Sequence, residues 1–164
     1  RIRDAEFRIT TLEGGDASLV SGTPSPLGTT PPVVAVRGEQ QDFIAARAAF
    51  DNGDMADAAR LMGEFIASYP DGPSAGEARL YQGRAFAAMG EHQEAARVFL
   101  KGFSGAPDAL SAPHALLGLA MSLDHLGQHN QACLTLAEIL FRYPSMPTEL
   151  AQDVTAQKAE LGCE

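Results

Sequence analysis

Four histidines, His92, His114, His125 and His129, and two cysteines, Cys133 and Cys163, are the side chains here with the most chemistry to offer. Two histidines four apart on one helix face can hold a zinc ion, and His125 and His129 have that spacing. Gly127 falls between them in a stretch that reads as a turn, so the rings belong to different helices and lose the shared face. No cysteine or carboxylate stands at ligand spacing to complete a set. A nucleophilic thiol at Cys133 is equally poor, because Gln131-Ala132-Cys133-Leu134 reads as helix beside core residues, where a thiol is buried or bridged rather than reactive. No Gly-rich phosphate loop follows a strand, since no segment reads as a strand. The expectation is a protein without catalytic residues, metal or cofactor.

The elements that position these residues follow from a repeat. Glycines at Gly53, Gly90 and Gly127, alanines at Ala58, Ala95 and Ala132, and prolines at Pro70, Pro107 and Pro144 each step by 37 residues. A glycine can take the left-handed conformation that ends a helix, an alanine lets two helices approach, and a proline cannot prolong a helix. Together they describe a recurring helical hairpin. Gly83, Phe86, Gly90, Ala95, Phe99 and Pro107 fall where the tetratricopeptide repeat has its small, aromatic, turn, small, aromatic and terminating positions, and the sequence resembles that repeat. Its usual period is about 34 residues. The surplus is expected in the connections Asp71 to Ser74 and Asp108 to Pro113.

At 164 residues, with 45% apolar and 20% charged side chains, the chain can bury one domain-sized core. A net charge of −9 and an isoelectric point near 4.8 argue against nucleic-acid or anionic-membrane partners, which draw on clustered Lys and Arg. No apolar run is long enough for a transmembrane helix. With no initiator Met and no signal peptide, the chain reads as a piece of something longer.

Ile2, Ala5, Ile9 and Leu12 alternate spacings of three and four, the seam of a coiled coil, and residues 1–13 are expected to be its end. Residues 14–39, rich in Gly and Pro, read as a flexible linker. Residues 40–164 form the repeat domain, with repeats at about 40–73, 74–110 and 111–147 and a capping helix over 148–162 that covers the last open face. Ser74, three residues before Glu77, suggests a capping box at the second repeat. The expected fold is all-α, a tetratricopeptide superhelix of three hairpins plus the capping helix.

In that register the first helix of each hairpin lines a concave face. Phe43, Arg47 and Phe50 from the first repeat, Leu80 and Arg84 from the second, and Leu117, Met121 and His125 from the third are the candidate partner-binding residues. Phe43, Leu80 and Leu117 occupy the innermost turn, so a Lys/Arg/Asn carboxylate clamp is not expected. An apolar groove flanked by Arg47 and Arg84 suits an extended or helical protein segment. The alternative for the three apolar residues is plain packing against the next helix.

The order of parts, with Tyr69-Pro70 and Tyr143-Pro144 closing the outer repeats, resembles the YbgF family of Tol-Pal system proteins, also called the cell division coordinators CpoB. Ala48-Ala49-Phe50-Asp51-Asn52-Gly53-Asp54, Phe65-Ile66-Ala67-Ser68-Tyr69-Pro70 and Leu126-Gly127-Gln128-His129-Asn130-Gln131-Ala132-Cys133 carry the resemblance, and Ala106-Pro107 departs from it. The resemblance implies a periplasmic, non-catalytic adaptor that binds TolA and helps couple outer-membrane constriction to the septal peptidoglycan synthesis machinery. It also implies a homo-oligomer, typically a trimer, formed through the upstream coiled coil, so that truncation of the coil would leave this piece a monomer. A tetratricopeptide-type assembly factor for outer-membrane proteins is the alternative.

If the capping helix runs antiparallel to the second helix of the third hairpin, its end returns to Cys133. A Cys133–Cys163 disulfide is then expected, suited to an oxidising compartment; the alternative is two free thiols.

Overall fold

The computed structural model describes residues 38–163. The expected coiled-coil end and all but the last two residues of the expected linker lie outside the described residues. Within them the chain forms α1 (Glu39–Asp51), α2 (Met55–Ser68), α3 (Ala75–Ala88), α4 (His92–Gly105), α5 (Ala112–His125), α6 (His129–Arg142) and α7 (Thr148–Glu160). Each helix packs on its neighbours in sequence, and the first helices of successive hairpins also touch, α1 with α3 and α3 with α5. Three hairpins and a last helix are therefore stacked in one array.

The turns inside the hairpins have a single cause. Gly53, Gly90 and Gly127 have φ of 86°, 80° and 74°, the left-handed region that a side chain disfavours. Past each turn Ala58, Ala95 and Ala132 are fully buried, so two helix backbones meet with only a methyl group between them. The main cluster joins Leu80 and Phe99 to Leu116, Leu136 and Ile139 and to Leu150 and Val154 of α7. A second gathers Phe43, Met62 and Phe65 at the first hairpin.

Phe99 sets the closest approach. A Cβ on Gly83 of α3 would lie 2.5 Å from its ring, and so would one on Gly118 of α5. The ring is therefore packed on the bare backbone of two helices at once.

The connections between hairpins are tied by side chains. Tyr69 donates its hydroxyl to Asp42 Oδ2 at 2.7 Å, and Tyr143 donates to the Pro107 carbonyl at 2.6 Å. The middle repeat has Ala106 where the others have tyrosine, and Arg79 donates to the Pro70 carbonyl at 3.2 Å instead. The expected capping box at Ser74 does not form. Ser74 has φ −90° and ψ −3°, not the extended geometry a capping side chain needs, and makes no side-chain cap. Its N–H donates to Glu39 Oε1 at 2.9 Å, so the start of α3 is held from the start of α1.

At the far end, Cys133 and Cys163 are joined by a disulfide with Cα atoms 5.4 Å apart. Helix α7 ends at Glu160, two residues earlier than expected, and Gly162 at φ 66° turns the chain so that Cys163 reaches α6. Among the described residues, no helix is long and apolar enough to cross a membrane.

Candidate protein-binding groove

The first helices of the hairpins, α1, α3 and α5, carry the groove. Its centre is Tyr81, which stands edge-on to Phe43 and Phe50 with ring centroids 6.1 and 5.1 Å apart. The Arg47 guanidinium lies 5.1 Å from its ring centroid and that of Arg84 5.8 Å, so two cations flank one ring. Arg47 is also paired with Asp51 at 3.5 Å, one turn on.

Two cavities open along α3 and share Arg84 and His114. The larger, of about 860 Å³, has Glu77, Leu80 and Tyr81 on one side and Pro70, Ala106 and Leu110 of the connections on the other. Ala106, where the outer repeats have tyrosine, is on its wall. The smaller, of about 330 Å³, is walled by Ala87, Phe99, Leu117, Gly118 and Met121 and rimmed by His92, His114 and His125.

The eight candidate residues divide. Phe43 and Leu80 are 3% and 6% exposed and lie in the core, the packing alternative, with Leu80 also on the wall of the larger cavity. Both side chains pack on neighbouring helices: Phe43 lies edge-on to Phe65 of α2 at 5.6 Å, and Leu80 joins the main cluster with Phe99 and Leu116. Phe50 is half-buried beneath Tyr81. Arg47, Arg84, Met121 and His125 are exposed, and Leu117 is half-buried on the cavity wall.

Sequence reasoning missed Tyr81 and His92. Tyr81 follows Leu80 directly and shares a face with Glu77 and Arg84 at spacings of four and three, the signal that could have found it. His92 opens α4 and stacks on His125, which closes α5, with centroids 4.1 Å apart and planes 12° from parallel. No local pattern announces a contact across two hairpins.

His129, beyond the turn from His125, has other partners. Its Nδ1 lies 2.8 Å from Asp124 Oδ1 and its Nε2 2.6 Å from the Leu161 carbonyl. Both partners are acceptors, so both ring nitrogens donate only in the imidazolium form. The Asp124 bond, then the Leu161 bond, raise its pKa above the ordinary histidine value. His114 goes the other way, lowered by burial and then by the charge of Arg84. With its sulfur bonded to Cys163, Cys133 offers no thiolate nucleophile. No group of three His, Cys, Asp or Glu side chains among the described residues is arranged for a metal ion.

Residues 45–109 match one tetratricopeptide repeat family and residues 114–145 match another. The fold is also similar to a crystal structure of nearly identical TPR-like repeats from a Podosopora anserina protein assigned as a kinesin light chain. The TM-score is 0.58 and the identity 19%, over 96% of this chain and 87% of the other. At that identity the likeness concerns the fold alone. No curated protein matches the chain significantly. The array is thus an all-α superhelix of tetratricopeptide type, three hairpins closed by a last helix.

Proposed function

We propose that the chain is a non-catalytic scaffold that binds a segment of another protein along the groove on α1, α3 and α5. The observation that carries this reading is the Arg47–Tyr81–Arg84 arrangement beside two open cavities. Exposed arginines held over a tyrosine, next to open hollows, are the composition in which a few side chains dominate binding energy. Concave helical-repeat surfaces suit extended or helical segments because every hairpin adds one helix to the floor.

More specifically, the reading is a periplasmic adaptor of the Tol-Pal system whose partner is TolA and whose task is to coordinate outer-membrane constriction with septal peptidoglycan synthesis. The sequence resemblance to the YbgF family motivates it, and the Cys133–Cys163 disulfide agrees with it, since such bonds persist in oxidising compartments. Calorimetric titration with purified TolA tests it. Arg47→Ala with Arg84→Ala, both at exposed positions, should weaken binding by about tenfold or more while leaving helicity unchanged. No heat of binding with the unaltered chain would retire TolA as partner, and binding indifferent to the double variant would move the site off this groove.

A further inference from the structure

The smaller cavity has an unusual charge. The sequence holds 21 acidic residues against 12 Lys and Arg, yet none of the side chains lining this cavity is acidic. Its titratable members are Arg84, His92, His114 and His125. Arg84 stacks on Tyr81 but has no ion pair among the described residues, whereas Arg47, Arg60, Arg97 and Arg142 each face a carboxylate. His92 Nδ1 is buried without a hydrogen-bond partner, a state that costs free energy until something polar meets it. The walls are apolar and soft: Phe99, Leu117 and the thioether of Met121, itself 42% exposed.

We propose that this cavity is the anchor site for one aromatic side chain of a bound protein segment, with a neighbouring carboxylate of that segment paired to Arg84. The proposal rests on the groove reading and names the chemistry of its partner. A cavity of about 330 Å³ lies at the small end of ligand sites, suited to one ring rather than a large ligand. A ring gains from the Met121 sulfur in a way an aliphatic chain does not. The Arg84 guanidinium, already oriented by Tyr81, presents a fork that a carboxylate fits in two-point fashion. The two cavities share Arg84 and His114 on their walls, so a chain that continues along α3 can reach both.

The test uses the full chain and the blocked peptide acetyl-Gly-Glu-Phe-Gly-amide, followed by NMR at the methionine methyls and histidine rings, with Met121→Leu identifying the Met121 signal. The Glu-Phe peptide should shift Met121 and the rings of His92, His114 and His125. Its Gln-Phe counterpart should bind about three- to fivefold more weakly, the scale of one exposed ion pair. Arg84→Gln should erase that difference, and a Glu-Ala peptide should leave Met121 unmoved. Peptide signals that bypass Met121 and the three histidines, or equal affinity of the Glu-Phe and Gln-Phe peptides for the unaltered chain, would overturn the proposal. Titration with TolA reports on the groove as a whole and the peptide on this cavity alone, so the two readings fail separately.

Discussion

Phe99 shows how strongly one residue can constrain its neighbours. Its ring, 2% exposed, fills the space that side chains at Gly83 and Gly118 would occupy. Gly118→Ala gains up to about 1 kcal/mol of helix propensity but drives a methyl into the ring, an overpacking cost of about 1–3 kcal/mol. The variant should melt lower in calorimetry. Gly105→Ala is the contrast: its Cβ would meet only Arg79 Nη1 at 3.9 Å, so that variant should be neutral or slightly stabilised. At the same scale, His129 links protonation to stability. Its pKa is raised in the fold by Asp124 and Leu161, so its contribution is complete below the unfolded histidine value near 6.5 and is lost as pH rises through the folded value. His114 opposes it, its lowered pKa making the fold less stable as pH falls. The difference in melting temperature between the native chain and His129→Gln is therefore the clean readout. It should be larger at pH 5.5 than at pH 8, and a difference that does not change with pH would mean the ring is not charged in the fold.

Among the elements, what repeats was legible in the sequence and what crosses repeats was not. The turn glycines, packing alanines and stopping prolines act within one hairpin, so their spacing alone located the hairpins. Glu39 capping α3, and His92 stacking on His125, join residues from different hairpins, and no local pattern encodes them. For Phe43 and Leu80 register leaves groove and packing both open, because it does not tell a residue facing solvent from one turned under the next helix; their burial is the packing outcome. The middle repeat supplies the test of this internal logic. Tyr143→Phe, which loses the bond to the Pro107 carbonyl, should cost about 1 kcal/mol. Ala106→Tyr should raise the melting temperature by filling the start of the larger cavity, with a gain of about 1–2 kcal/mol if most of the ring is buried. An Ala106→Tyr variant that melts lower would show that Arg79 and the tyrosine compete for the same space.

Over the whole array, stability is shared between hairpins because each buries its neighbour's open face. The C-terminal end is held twice, by the His129 bonds and by the disulfide, which closes a loop spanning 30 residues. In the chain-entropy picture that closure contributes about 3–4 kcal/mol. Cys163→Ser should lower the denaturant midpoint of the entire domain, not of α7 alone, and hydrogen exchange should speed up first in α7 and then in α6. A midpoint that does not move would mean that α7 is held by its buried Leu150 and Val154 alone.

The Phe99 ring has a further consequence, for curvature. Gly83 and Gly118 lie on the first helices of successive hairpins, which touch, and the Phe99 ring meets the chain at both glycines. A ring at that contact limits how closely α3 and α5 can approach, so its size should bear on the pitch of the array. A thinner or branched spacer, as in Phe99→Leu, would retune that pitch, and small-angle scattering of residues 38–164 would register it as a change in radius of gyration even where helicity is preserved.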